Sequence, residues 1–452
     1  MTFKKLLVAN RGEIAVRIIR TARELGLRTV LAASEPDATS YAAELADEVE
    51  VIGPAAAARS YLKTEAVLGA ATATGCDAVH PGYGFLSENA GFARAVADAG
   101  LTWVGPAAGA IELMGDKSRA RQAARDAGVP TFRGSDALTP ADDADAIAAE
   151  VGFPLVVKAS SGGGGRGIRL VTEARELQRT LEMARAEAQA AFGDPTVYLE
   201  QFVSNARHVE VQILGDGERV IHLGDRDCSL QRRQQKVVEE APAPALPEPV
   251  RARILESSTE LGRQCSYRGL GTVEFLYDPV SHEAAFIEMN TRLQVEHPVT
   301  EMITGLDLVR EQLLVARDGR LRLNQQDVTF TGHAFEFRVN AEDPASNFLP
   351  SPGTLSRLDW PGGPGVRVDS GVVTGSTVAP FYDSLLAKLI VWDSRRDDTI
   401  ARSIRALGEV RIEGVKTTLP LLQAVLSRSE VRDVVHSTKF IESTPDLLGV
   451  SS

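Results

Sequence analysis

The chain has 452 residues, 44% apolar and 24% charged, and at roughly 100–200 residues per domain that allows about two to four domains and excludes a disordered chain or a disulfide-stapled miniprotein. Lys and Arg number 49 against 61 Asp and Glu, a net charge of −12, which excludes a non-specific nucleic-acid binder and means that any anionic substrate must meet a local cluster of positive residues. Cys76, Cys228 and Cys265 form no CxxC pair, the usage of a reducing compartment and not of a thiolate zinc site.

Lys4, Lys5 and the apolar residues 6–9 imitate a signal peptide, but the apolar run is far short of the roughly 7–15 residues such a segment needs. No stretch approaches the roughly 18 apolar residues of a membrane span, so the expected location is the cytoplasm, with no membrane partner. Residues 6–9 read as a buried strand. Residues 13–25 read as a helix, with apolar positions 14, 15, 18, 19, 22 and 25 closed by Gly26, and 28–33 as the next strand. Asp77-Ala78-Val79 leads into a turn, and Ser87 is the expected cap of a helix that runs to Ala99 and ends at Gly100. This alternation predicts a doubly wound α/β domain. Asn10-Arg11-Gly12 reads as a plain strand–helix turn. His80, in Val79-His80-Pro81-Gly82-Tyr83-Gly84, has equal claims as a ligand contact and as part of a rigid turn.

A second region begins near Met114-Gly115-Asp116-Lys117. Gly162-Gly163-Gly164-Gly165-Arg166-Gly167 contains a literal GxGxxG, but a dinucleotide site needs a helix after the glycines. Here residues 154–159 and 168–171 both alternate like strands, so the unit reads as strand, glycine loop, strand. There is no Gly-Lys-Ser/Thr of a Walker loop. A flap without side chains still suits phosphates, because backbone N–H groups approach closely, and Lys158 just before it is a matching point charge. Helices are expected around 173–192 and a strand over 197–200.

Residues 272–277 and 284–290 read as two strands. A hairpin centred on Ser281 sets Glu274 opposite Glu288, with Asn290 two positions on, while Val273, Phe275, Ile287 and Met289 crowd the other face. Like charges directly opposed destabilise a sheet, and carboxylates joined by phosphate oxygens are the usual magnesium environment. The next loop places Arg292, Gln294 and Glu296 at alternate positions: a donor fork, an amide and a base, suited to a small planar anion. Residues 226–236 add positive charge. His208 opens an alternating strand and His297 precedes Pro298; lone histidines are most often structural. A third region starts near Thr331, with Pro- and Gly-rich turns, short strands, then helices after Asp397. In it Arg338 shares a strand face with Glu336 and Asn340, and its structural alternative is an ion pair with Glu336.

Together these residues resemble the biotin carboxylases, within the ATP-grasp superfamily. The match runs from Ala9-Asn10-Arg11-Gly12-Glu13-Ile14-Ala15 to Gly414-Val415-Lys416-Thr417, and its most specific segments are 80–89 (HPGYGFLSEN), 158–167, 231–244, 288–300 (EMNTRLQVEHPVT) and 340–353 (NAEDPASNFLPSPG). The resemblance implies an α/β (α+β) fold of three parts: a doubly wound domain over 1–114, an ATP-grasp domain over 115–330 with a mobile glycine-rich lid at about 130–204, and a mixed C-terminal domain over 331–446. It implies ATP contacts from Lys117, Lys158, Gly163, Gly164 and Gly165, an adenine hinge at Glu200, Gln201 and Val203, and further nucleotide neighbours in His208, Gln231 and Leu276. It implies magnesium or manganese at Glu274, Glu288 and Asn290, bicarbonate at Lys236, Arg292, Gln294 and Val295, Glu296 as base, and Arg338 with Tyr83 facing biotin.

The implied reaction is ATP-dependent carboxylation of biotin through carboxyphosphate, the first half-reaction of an acetyl-CoA or acyl-CoA carboxylase, as in fatty acid biosynthesis. The implied partners are a biotin carboxyl carrier protein, a carboxyltransferase, and a second copy of the chain in a homodimer. None of the five methionines precedes a lysine, so the biotinyl lysine is expected on another chain. Gln234 stands where some members have His, the segment around Tyr41 differs, and the 278–283 turn is two residues longer; none touches a catalytic role. A carbamoyl-phosphate-forming ligase would not need the Arg338 region, and its ATP turnover would not respond to biotin. A catalytically silent nucleotide-binding regulator should lack some of the acid, base and metal groups, and all are present.

Overall fold

The N-terminal alternation closes into a parallel five-stranded sheet in the spatial order Glu48–Gly53, Arg28–Ser34, Lys5–Val8, Ala78–His80, Thr102–Trp103. Ile14, Ile18 and Ile19 of the helix Gly12–Glu24 pack on one face, and Val67, Phe92 and Val96 from the helices Thr64–Ala73 and Ala90–Asp98 cover the other. This is the predicted doubly wound domain. The last of these helices is capped by Asn89, whose side-chain oxygen accepts from the Phe92 N–H at 2.8 Å, and not by Ser87. A cap must directly precede the first helical residue, and Ser87 is still within the turn that starts at Gly84. The structure, a computed structural model, describes residues 3–139, 141–160 and 168–448.

The largest sheet has eight antiparallel strands: Glu283–Asn290, Arg268–Asp278, Arg207–Asp216, Val220–Arg232, Gln235–Ala241, His333–Asn340, Leu385–Asp393 and Val366–Ser370. It runs straight across the position where the sequence divides its second and third regions, because Gln235–Ala241 pairs with His333–Asn340. One face is apolar: Val209, Val211, Ile213, Val273 and Phe275 pack with Ile254 and Leu261 of the helix Glu248–Gln264. Farther along, Phe335, Phe337, Leu389 and Val391 pack with the helices Arg396–Glu409 and Leu419–Leu426. The alternate positions Glu210, Gln212, Glu239, Glu274 and Glu336 are polar yet buried. A strand of period two normally turns its polar face to water; here that face is the floor of a site.

A third sheet, Ile168–Val171, Leu155–Ala159, Val197–Gln201, has a core of its own in Leu155, Val157, Val171, Leu181 and Leu199. The two predicted strands are present, paired from Leu155↔Val171 to Lys158↔Ile168; the glycine loop expected between them, with Gly163, Gly164 and Gly165, lies outside the described residues. No helix among the described residues is long and apolar enough to cross a membrane.

Candidate active site

A cavity of about 980 Å³ opens over the polar face of the large sheet, and all three parts of the chain line it. Glu274 and Glu288 face each other there in the predicted register, with Asn290 opposite Thr272. Beyond Glu274 the register shifts, so that Phe275 faces Phe286. Ile287 is the extra residue of this bulge. It lines the cavity instead of joining Val273, Phe275 and Met289 in the core, because a bulge re-aims the residue it inserts.

The two glutamates differ in surroundings. Glu274 pairs with Lys236 at 3.1 Å and His208 at 3.1 Å, and accepts from Asn290 at 2.7 Å and Gln294 at 2.8 Å. Burial opposes its ionisation, but Lys236 and His208 hold it well below the usual carboxylate range. Burial also opposes a charged His208, yet Glu274 and Glu210 raise that ring to about 9. Glu288 has no hydrogen bond or ion pair among the described residues, and burial and then Glu274 push its carboxyl up. An unpartnered carboxylate beside a second one and an amide fits a hard divalent cation. Lys117, the first residue of the helix Lys117–Asp126, faces Glu288; burial lowers its ammonium against that pull.

Lys158 also lines the cavity and is ion-paired with Glu200. None of the expected hinge residues Glu200, Gln201 and Val203 is in the cavity wall. Glu200 turns its carboxylate to Lys158 and Arg121. The Gln201 N–H donates to the Arg133 carbonyl at 2.8 Å, and neither Gln201 nor Val203 is in the lining. Tyr198 represents that strand in the wall instead, alongside His208, Gln231 and Leu276.

Glu296 is buried at the inner end, 2.5 Å from Lys236 and 2.9 Å from Arg338. Burial alone would raise its carboxyl, but Lys236 and Arg338 overcome this and keep it below the usual value. Arg338 donates from Nε to Glu239 at 2.6 Å and from Nη2 to Glu296 at 2.9 Å, so its ion pairs are with those residues and not with Glu336. Arg226, fully buried, makes five hydrogen bonds, to Glu210, Gln212, Thr300, Thr272 and Gln294. Gln294 is thus held between Arg226 at 2.8 Å and Glu274 at 2.8 Å. Arg292 is steadied by Glu88 at 2.8 Å and Asn290 at 2.9 Å. The Val295 carbonyl accepts from Lys388 at 2.8 Å.

Tyr83 lines the cavity with its hydroxyl given to Glu13. Asn10 donates to the Pro81 and Tyr83 carbonyls, each at 2.7 Å, so the Asn10-Arg11-Gly12 turn also clamps the loop that carries Tyr83. His80 and His297 are both structural: His80 accepts the Gly82 N–H at 3.0 Å, His297 Nδ1 lies 2.8 Å from the Gln294 carbonyl, and burial holds both rings neutral. Sequence reasoning missed Glu210, Glu239 and Glu88. The alternation His208, Glu210, Gln212 was a visible signal, but periodicity shows a polar face without showing that it is covered.

Three family profiles tile the chain: "Biotin carboxylase, N-terminal domain" over residues 2–111, "Carbamoyl-phosphate synthase L chain, ATP binding domain" over 116–324, and "Biotin carboxylase C-terminal domain" over 336–443. A biotin carboxylase of Pseudomonas aeruginosa is 52% identical over 92% of this chain and 93% of its own. Biotin carboxylase 1 of Bacillus subtilis is 48% identical over 99% of both chains. Among solved structures, the biotin carboxylase domain dimer of Hydrogenobacter thermophilus 2-oxoglutarate carboxylase, in complex with MgADP, ADP and bicarbonate, superposes with a TM-score of 0.93 at 46% identity over 100% of both chains. Fold and site together define an ATP-grasp ligase. Within that class, the chain belongs to the biotin carboxylase family.

Proposed function

We propose that this chain carries out ATP-dependent carboxylation of biotin with bicarbonate, the first half-reaction of an acyl-CoA carboxylase, on a carrier protein supplied by another chain. The observation that carries the reading is Glu296: a buried carboxylate kept ionised between Lys236 and Arg338, in the same cavity as Lys117 and Lys158.

Bicarbonate sits against Arg292, Gln294, Val295 and Lys236. Glu296 takes its proton, and the freed oxygen attacks the γ-phosphorus of ATP while ADP leaves. Lys117, Lys158 and the backbone of Gly163, Gly164 and Gly165 hold the phosphates in line, and positioning with charge stabilisation is most of what phosphoryl transfer needs. Magnesium or manganese, held by Glu274, Glu288 and Asn290, supplies further neutralisation of phosphate charge. Carboxyphosphate then splits into CO2 and phosphate. The phosphate removes the N1 proton of biotin, Arg338 stabilises the resulting ureido anion, and N1 bonds to CO2; Tyr83 flanks the ring. Water must be kept from the labile intermediate. The separate core of the small sheet supports its moving as one lid, about residues 130–204, between parts at 1–114, 115–330 and 331–446. Adenine contact at Glu200, Gln201 and Val203 would follow from such closure. We place the enzyme in the cytoplasm as a homodimer, with the carboxyltransferase on a separate chain and acetyl-CoA or another acyl-CoA as final acceptor.

The test is phosphate release from MgATP with bicarbonate, with and without free biotin. Stimulation by biotin is expected. Turnover that ignores biotin but responds to ammonia would replace the reading with a carbamoyl-phosphate-forming one.

A further inference from the structure

Glu239 and Glu336 take no part in the reaction above, yet they face each other across paired strands, and neither exposes any surface. Directly opposed side chains in an antiparallel pair have Cβ atoms about 4.5–5.5 Å apart, so the two carboxyls share one dry space. Glu239 accepts from Arg338 at Oε1. Its Oε2 and both oxygens of Glu336 have no hydrogen-bond partner among the described residues. Two ionised carboxylates so placed would repel strongly. One proton between them removes the repulsion and makes a hydrogen bond that satisfies an oxygen on each side.

The other groups facing Glu239 are Arg338, Glu296, Lys236 and Cys228; those facing Glu336 are Lys388, Arg338 and Glu296. Burial pushes Glu239 up to about 7 against Arg338, and pushes Glu336 well above the usual range against Lys388. Glu239 already accepts from the Arg338 guanidinium while neither oxygen of Glu336 has a partner, so Glu336 is the one that keeps the proton.

We infer that Glu336 is a positioning residue for biotin carboxylation: in its acid form it donates to Glu239, which in turn holds Arg338 in place beside Glu296 and toward biotin. This rests on the reading of Arg338 given above. Loss of the shared proton at alkaline pH leaves two negative charges behind Arg338 and draws it off the biotin side.

The test compares wild type, Glu336→Gln and Glu336→Leu by phosphate release with and without biotin, with kcat/KM for biotin followed from about pH 6.5 to about pH 9.5. Glutamine can donate to Glu239 at every pH. It should keep the neutral-pH rate within about threefold and shift the alkaline limb upward. Leucine donates nothing and should lower kcat/KM for biotin about tenfold or more, while biotin-free hydrolysis stays within about threefold. The infrared band of a protonated carboxyl, present in wild type at about pH 8, should vanish in Glu336→Gln. If the Leu variant fails to fold, the Gln profile decides. An alkaline limb unmoved by Gln, or a Gln variant as impaired as Leu, overturns the inference alone. A wild type with no biotin response overturns the reading of the reaction and this inference with it.

Discussion

Glu274 and Glu288 face each other across neighbouring strands, but Glu274 is ringed by Lys236, His208, Asn290 and Gln294 while Glu288 has no partner among the described residues. The unpartnered member is the one with a charge left to give to a cation.

Glu288→Gln keeps the shape and removes that charge. Turnover should fall by about a hundredfold or more, about 3 kcal/mol of lost transition-state stabilisation. The thermal midpoint of the metal-free protein should hold or rise, because carboxylate repulsion is relieved. Near-normal turnover at low magnesium would show that Glu288 is not a metal ligand.

Arg338→Gln and Glu296→Ala should separate the two chemical halves. The first should lose most biotin-dependent turnover, about 2–4 kcal/mol, and keep slow hydrolysis without biotin. The 2.9 Å pair between these residues also means that Glu296 loses one of the cations that lower its carboxyl, so it becomes the stronger base. Glu296→Ala should lose both activities. If Arg338→Gln loses biotin-free hydrolysis as completely, the division of roles is wrong.

Gly82→Ala tests the clamp on Tyr83. Gly82 has φ +63°, and a Cβ there would lie 2.8 Å from Asn10 Nδ2. The left-handed backbone alone costs an L-residue about 1–2 kcal/mol, and Asn10 must leave the Pro81 and Tyr83 carbonyls. We expect a lower thermal midpoint and a raised KM for biotin, with KM for ATP unchanged. A less stable protein with an unaltered biotin KM would remove Tyr83 from the biotin site.

His80 and His297 set a pH dependence. Burial lowers both, His80 to about 3 and His297 well below its usual value. A histidine depressed in the folded state contributes stability that is complete above the unfolded value, about 6.5, and is lost as pH falls below it. The unfolded chain takes up two more protons there, so unfolding free energy should drop by about 2.7 kcal/mol per pH unit from these two sites. Denaturant titrations at pH 7.5 and below should show the slope, and His80→Gln should lessen it by about half. An unchanged slope in that variant would mean that His80 is not buried neutral.

The elements legible in the sequence were those whose signal is local. Period 3.6 and period two in turn set the first helix and strands, and a short connection put Glu274 opposite Glu288 through spacing alone. Arg292, Gln294 and Glu296 lie in one loop directly after the strand that ends at Asn290, so their convergence was readable in the same way. The Ser87 cap failed on a turn that starts at Gly84 and delays the helix to Ala90, and Ile287 failed on a one-residue bulge, which no hydrophobic pattern reports. What only the tertiary structure decided is who partners whom. Glu239 meets Arg338 at a separation of 99 residues, and Lys236 meets Glu296 at 60. The first pairing exists because Gln235–Ala241 and His333–Asn340 are neighbours in one continuous sheet, and the second because the helix His297–Thr304, which Glu296 precedes, packs against those same strands. Charge can be held out of water only where the opposite charge is already in place, and strand order, which periodicity does not encode, puts it there.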